Sequence, residues 1–384
     1  MDYSNIDLKW QNMLAGIEAQ VPFVRQAPHT VYQQVREKLA LTRAPGRVYL
    51  VGCGDSWYCG MATRLAFEAW AGVPTEALQA LEFSRYYGAF APRDSLVVAI
   101  SNSGRVSRTI EAVMVGRARG MRTLAGTSAL DSPIAQAAEV TIDLGYAERR
   151  FAPGTSSYVA SLMVEYCVAL HIAEVAGRLT AAQVQARLDD IAAESTGMQQ
   201  TLDANRDGLE ALGAQAQLTD KIIFIGGGPN YGTAFFSRAK IFEAARAYAT
   251  GQELEEWAHE QYFVTGPDTY TFVIAPPGAS VGRAREQLWA ANEMGSTTVA
   301  LCDADDGETA RLAKVHLPMY GGREETLSPL AYCLPGELFA FFFAVSKNLK
   351  MMGFDNPHVK EVNFQQIFHS QIVGAGWGRS IERP

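Results

Sequence analysis

Short aliphatic runs that end in glycine, each followed by a longer stretch with helical spacing, recur along the chain. "RVYLVGCG" (47–54) leads into "GMATRLAFEAWAG" (60–72), "SLVVAISNSG" (95–104) leads into "SRTIEAVMVGRARG" (107–120), and "MRTLAGTS" (121–128) is a third run. Apolar runs without alternation mark strands covered on both faces. Their alternation with helical segments predicts an α/β fold, a parallel sheet with helices on both faces. The same order returns in "KIIFIGGGPNYG" (221–232), "YTFVIAPPG" (270–278), "GRAREQLWAANEMG" (282–295) and "STTVALCD" (296–303). "VGCG" maps onto "IGGG" and "AISNSG" onto "VIAPPG" at one offset of 174 residues (51 to 225, 99 to 273), and the third strands map at one residue more. A near-constant offset through three strands reads as tandem duplication of one unit.

Around these units, residues 6–43 predict two leading helices and residues 176–217 a helical connection. The expected organisation is N-terminal helices over 1–44, a first domain over 45–178, the connection over 179–218, a second domain over 219–350 and a tail over 351–384. A chain of 384 residues that is 48% hydrophobic suits two globular domains. The longest apolar run, "LFAFFFAV" (338–345), is short and sits between Glu337 and Lys347, so no membrane partner is expected. The N-terminus "MDYSNIDLKW" has no apolar signal region, which points to a cytoplasmic protein. Five cysteines without a CxxC pair read as reduced thiols, and neither a metal nor a cofactor is expected. A net charge of −8 argues against nucleic acid as a partner; an anionic ligand must be held by local donors.

Such donors are concentrated after the second strand of the first unit. Loops that leave the carboxyl ends of parallel strands and open helices gather amide N–H groups and the positive end of the helix dipole. In "SNSGRVSRT", Ser101, Ser103, Ser107 and Thr109 add hydroxyls, Asn102 an amide and Gly104 a close-approach backbone, while Gly54 and Ser56 of "CGDS" face from the neighbouring loop. Ser, Asn and Gly equally make an ordinary turn and helix cap. The duplication favours an anion site, because the second copy carries Pro276 and Pro277, which have no N–H to offer, at the matching positions.

These residues resemble the SIS (sugar isomerase) domain family, specifically double-SIS enzymes like the isomerase half of glucosamine-6-phosphate synthase. "GCGDSWYCGMATRLAFEAWAGVP" (52–74) is similar to its C-G-T-S loop and helix, and "ISNSG" (100–104) to its S-x-S-G phosphate loop. "AKIFEAARAYATGQELEEWAHEQ" (239–261) has its K-x-x-E followed sixteen residues later by His, and "DNPHVKEVNF" (355–364) resembles its lysine-bearing C-terminal motif. The resemblance runs from about residue 45 to Lys360 and implies two flavodoxin-like units in a homodimer, with a sugar phosphate bound by the first unit near the interface. It implies substrate contacts from Cys53, Gly54, Asp55, Ser56, Ser101, Asn102, Ser103, Gly104, Ser107 and Ser156, the last within "PGTSS" (153–157). It further implies Glu243 as the base moving a proton between C1 and C2 and His259 as the ring-opening group. Lys240 would position or protonate the open chain, and Lys360 would sit at the ketose carbonyl. Aldose–ketose interconversion asks for such types: a ring-opening acid/base, a base spanning two carbons, and a cation near the enediolate oxygen.

The chain departs from the pattern at Arg105 and Val106, where the family has Thr in place of Val106, at "HEQ" (259–261) in place of H-G-P, and in the tail after Lys360. Without a glutaminase segment ahead of the pair, synthesis of glucosamine 6-phosphate from glutamine is not expected. The resulting expectation is an isomerase/deaminase of an amino-sugar phosphate; the alternatives are a deglycase of Amadori-type sugar phosphates and a phosphosugar sensor without catalysis.

Overall fold

Two five-stranded sheets, each parallel throughout, organise the chain in the computed structural model, which describes residues 7–146 and 152–373. After α1 (Leu8–Leu39), the first sheet is built from β1 (Arg47–Gly52), α2 (Asp55–Ala66), β2 (Thr75–Gln79), α3 (Ala80–Glu82), β3 (Ser95–Ile100), α4 (Ser107–Ala118), β4 (Arg122–Thr127), α5 (Pro133–Ala137) and β5 (Val140–Asp143). Two long helices follow, α6 (Ser156–Val175) and α7 (Ala181–Gln215). The second sheet comes from β6 (Lys221–Gly226), α8 (Pro229–Ala245), β7 (Ala249–Glu253), β8 (Thr269–Ala275), α9 (Val281–Glu293), β9 (Thr297–Asp303), α10 (Gly307–Leu312) and β10 (Val315–Met319). Helices α11 (Pro329–Tyr332), α12 (Leu334–Ser346) and α13 (Pro357–Phe368) complete the chain.

The residues form two compact units. The first comprises Gln26–Ala147, Ser157–Ala192 and Phe354–Pro384; the second comprises Met1–Arg25, Glu148–Ser156 and Ala193–Gly353. Residues 374–384 of the expected tail lie outside the described residues. The sheet orders are β2-β1-β3-β4-β5 and, read from the other edge, β7-β6-β8-β9-β10. These are the same doubly wound order, with the strand order reversing between the first and third strands of each copy. The 174-residue offset survives in the hydrogen-bond register: Val51 pairs with Ala99, and Ile225 with Val273. It also survives in the caps, since Gly54 (φ 56°, ψ −130°) opens α2 and Gly228 (φ 53°, ψ −126°) opens α8.

The central strands are buried along their whole length in β3 and nearly so in β8, each fully buried Val, Leu or Ile contributing roughly 1.5–3 kcal/mol. The edge strands β2, β5, β7 and β10 are short and only half-buried. They lack the continuous apolar runs that announce the central ones.

Two expectations are corrected. The leading segment is one helix of 32 residues, not two, and it runs through Pro22 and Pro28. Proline removes a helical hydrogen bond and usually ends a helix, but Ile17, Val21, Val24, Val31 and Val35 are all buried along this one, so tertiary packing outweighs the local break. Two helical stretches, Ser156–Val175 and Pro329–Ser346, do reach the length and apolarity of a membrane span; 89% of each apolar window is buried inside the protein. A helix apolar on all sides is a core helix when protein surrounds it.

Within the first unit, α6 carries one fully buried carboxylate, Glu165. Its Oε2 accepts hydrogen bonds from Thr63 Oγ1 at 2.6 Å and from the Cys59 thiol at 3.0 Å. Both donors are neutral, and burial pushes this carboxyl up to about 7. The fold therefore favours the protonated form; that stabilisation is complete below the unfolded carboxyl range and is lost as pH rises through about 7. Glu165→Gln, neutral at every pH, should gain on the wild type between pH 5 and pH 8 by on the order of 3 kcal/mol, measured as the difference in urea-unfolding free energy. Parallel pH profiles for the two proteins would contradict it.

Candidate functional site

In the first unit, the loops after β1 and β3 both open helices at the carboxyl edge of the sheet. The β3 loop folds on itself: Gly104 N–H donates to the Ser101 carbonyl at 2.9 Å, and Ser101 N–H to Gly126 O at 3.0 Å. Gly104 has φ 66°, and any side chain there would strike Ser132, so glycine is required twice over. Asn102 pins the loop to its neighbours. Its Oδ1 accepts from Ser128 Oγ at 2.8 Å and Tyr146 OH at 2.5 Å, and its carbonyl accepts from Ser128 N–H and Thr127 Oγ1.

Two hydroxyls in this loop cluster stand out. Ser101 is 2% exposed and Ser132 6% exposed, and neither hydroxyl oxygen has a hydrogen-bond partner. A buried polar atom left unpaired costs about 1–3 kcal/mol, and two such hydroxyls at the loop edge of a parallel sheet are candidates for completion by a ligand. Ser132 escaped the sequence reading, although "TSALDS" (127–132) after the third strand is a polar loop at the ligand-binding edge of the sheet. Ser107 is the first residue of α4 and fully buried, while Asp55 and Ser56 open α2. Cys53 accepts from Thr109 Oγ1 at 3.8 Å; burial raises its thiol, which keeps it a neutral lining group.

The equivalent edge of the second unit is differently filled. Beside Pro276 and Pro277, the Glu325 carboxylate accepts from Ala279 N–H at 3.2 Å. It lies so close to Gly278 that a Cβ there would come within 2.6 Å of its Oε2, and a Cβ on Gly228 would be 3.6 Å from its Oε1. The protein's own anion thus lies against both glycine loops. At the end of β9, Asp303 and Asp305 add negative charge and hold Arg323, with Nε 2.8 Å from Asp303 Oδ2. Like charge at this edge opposes a phosphate.

On α8, the Lys240 side chain is fully buried; its Nζ donates to Glu243 Oε2 at 2.7 Å and to the Gly154 carbonyl at 2.9 Å, and lies 4.7 Å from the centre of the Phe236 ring. Glu243 is 31% exposed. The ammonium, with no open surface, orients the carboxylate and ties down the Gly154 turn. Ser156 starts α6, and its hydroxyl donates to the Gly16 carbonyl at 2.7 Å. His259 follows the tight turn Glu256–Ala258; its ring is 66% exposed, with Nε2 3.5 Å from Glu255 Oε1, a carboxylate that Arg283 also holds at 2.6 Å. A contact this long and exposed is weak, so the imidazole can readily exchange it.

Lys360 sits on α13 in the first unit, with Nζ 5.5 Å from the Phe364 ring centre. The expected site residues therefore divide between the units. Cys53, Gly54, Asp55, Ser56, Ser101, Asn102, Ser103, Gly104, Ser107 and Lys360 belong to the first, and Ser156, Lys240, Glu243 and His259 to the second. Among the described residues no group of three or more His, Cys, Asp or Glu is arranged to hold a metal ion.

Residues 40–171 match the SIS domain family. Over 303 residues the chain is 26% identical to glutamine–fructose-6-phosphate aminotransferase [isomerizing] of Gloeobacter violaceus, a match covering 79% of this chain and 49% of that protein. The chain spans about half the length of the curated relatives it matches. Among solved structures, the C-terminal domain of glucosamine-fructose-6-phosphate aminotransferase from Francisella tularensis matches with a TM-score of 0.77 at 17% identity, over 91% of this chain and 99% of that one. Glucosamine-6-phosphate deaminase from Thermotoga maritima matches with a TM-score of 0.63 at 17% identity, over 88% of this chain and 95% of that one. With the same strand order, register and glycine caps repeated in both halves, the chain is built from two tandem α/β units of one fold, of which the first carries the match to the SIS domain family.

Proposed function

We propose that this protein is a cytoplasmic phosphosugar isomerase/deaminase, acting as a homodimer on an amino-sugar phosphate through ring opening and proton transfer between C1 and C2. The observation that carries the reading is the pairing on α8: a buried ammonium at 2.7 Å from a part-exposed carboxylate, Lys240 against Glu243. A base held in one orientation yet reachable from solvent is what a transfer between two adjacent carbons needs.

In this reading the first unit anchors the phosphate through the unpaired Ser101 and Ser132 hydroxyls and the surrounding loop amides. His259 exchanges its exposed partner Glu255 for the sugar and moves the ring proton. Glu243 takes the proton from one carbon and returns it to the next, and the Lys360 ammonium stabilises the enediolate oxygen. Lys240 acts through Glu243. The names of the similar proteins, an isomerizing aminotransferase and a glucosamine-6-phosphate deaminase, agree with an amino-sugar phosphate as substrate.

Ammonia release from glucosamine 6-phosphate, measured beside release of the amino acid from fructosyl-amino-acid 6-phosphates, tests the reaction class. Turnover of the first is expected, and turnover of the second alone would move the assignment to a deglycase. Glu243→Gln should lower kcat by about 10²- to 10⁴-fold; an unchanged rate would remove Glu243 from the mechanism. Calorimetric titration of the wild type should give a single phosphosugar site per chain. Glu325→Gln should leave that stoichiometry unchanged, because Pro276 and Pro277 still lack N–H donors. A second site in either protein would contradict the division between the two loops.

A further inference from the structure

Arg105 follows the ISNSG loop directly and is exposed. Its guanidinium lies over the Phe368 ring, 5.2 Å from the centroid. Phe368 is the last residue of α13 and meets Phe364 edge-on at 5.3 Å; Phe364 in turn meets Phe354 edge-on at 5.8 Å. Beyond the helix, the chain is tied to α4. Arg108 donates to the carbonyls of Ser370 and Gln371, and Val373 N–H donates to Glu111 Oε2 at 2.8 Å. Ile372, 4% exposed, packs into the core cluster of Ile110, Val113 and Ile134. The ring beneath Arg105 is therefore fixed from both sides.

The arginines around α4 have different assignments. Arg85 and Arg108 are both committed to the fully buried Glu111, each at 2.5 Å. Among the described residues Arg105 has no carboxylate partner; it meets the ring, and its backbone N–H donates to Ser103 Oγ at 3.4 Å. The ring contact uses none of the guanidinium's N–H donors in a hydrogen bond to another protein oxygen, so they are available to an anion. The other donors of the loop cluster, the Ser101 and Ser132 hydroxyls and the backbone amides, are neutral, whereas a phosphate monoester carries between one and two negative charges near neutral pH.

We propose that Arg105 is the cation that pairs with the ligand's phosphate group in this cradle, and that Phe368 of α13 is the residue that positions it. The inference rests on the reading of the loop as a phosphate site. It gives the C-terminal helix a part in binding, because the ring that orients the guanidinium belongs to α13.

Isothermal titration of the full chain with inorganic phosphate, and separately with glucosamine 6-phosphate, tests it. Arg105→Gln should bind both roughly 10- to 100-fold more weakly, as expected for loss of a charge-assisted hydrogen bond. Phe368→Leu should lose several-fold, while Phe368→Tyr, which keeps a ring, should restore wild-type affinity. In turnover the Arg105 variant should raise KM and leave kcat nearly unchanged, and thermal unfolding should be unaffected, since the side chain is exposed. Wild-type phosphate affinity in Arg105→Gln overturns the proposal, and equal affinity for the Leu and Tyr variants overturns the part given to Phe368. Arg105-dependent phosphate binding without turnover of any sugar phosphate would sink the enzymatic reading and keep this one. Turnover with an unchanged KM in Arg105→Gln would do the reverse.

Discussion

A parallel sheet with helices on both faces turns the amide-rich beginnings of its helices toward one edge, and something negative or hydrogen-bond-accepting has to satisfy them. Both units of this chain meet that requirement with the same strand order and with matched backbone angles at Gly54 and Gly228. They meet it in opposite ways. The first unit leaves the Ser101 and Ser132 hydroxyls at this edge without a partner among the described residues. The second supplies the Glu325 carboxylate from its own chain and substitutes proline for two of the donors.

Buried charge imposes a related discipline elsewhere, because each ionisable group removed from water needs a partner or a change of protonation. Glu111 is met by two guanidiniums, Glu165 by a hydroxyl and a thiol, and Glu337 by the Gln20 amide at 2.6 Å. Lys240 is met by Glu243 and a backbone carbonyl. In the Glu111 pairs it is the guanidinium that reaches the surface and the carboxylate that is buried; in the Lys240 pair it is the reverse, so the pair that resembles a catalytic motif is also the one whose carboxylate is accessible.

The central strands were legible in the sequence because burial on both faces writes itself as an unbroken apolar run, and the duplication was legible because two such runs kept their spacing. The edge strands β2, β5, β7 and β10 were not, since a half-buried strand of five residues or fewer has no distinctive pattern. Pro22 and Pro28 misled by local rule, and only the buried valines around them explain the unbroken helix. At the site, motif and spacing picked out Ser101, Gly104, Lys240 and Glu243. Ser132 and Glu325 come from distant points in the chain and carry no local mark; their importance lies in what they face, which only three-dimensional placement reveals. Ser156 was singled out by analogy, and its hydroxyl is engaged with Gly16.

The division of the chain into units has a genetic side. Following the residues in order, the chain passes from one unit to the other after Arg25, Ala147, Ser156, Ala192 and Gly353, so each unit is assembled from three separate stretches. Helices α1 and α7 each contribute residues to both. The duplicated strands and loops look like two genes joined end to end, yet no single cut yields one intact copy. A fragment starting after α1 lacks Trp10, Met13, Ile17 and Val21, which are buried in the second unit, and a chain ending before Phe354 lacks the segment that carries Phe368 and Ile372 in the first.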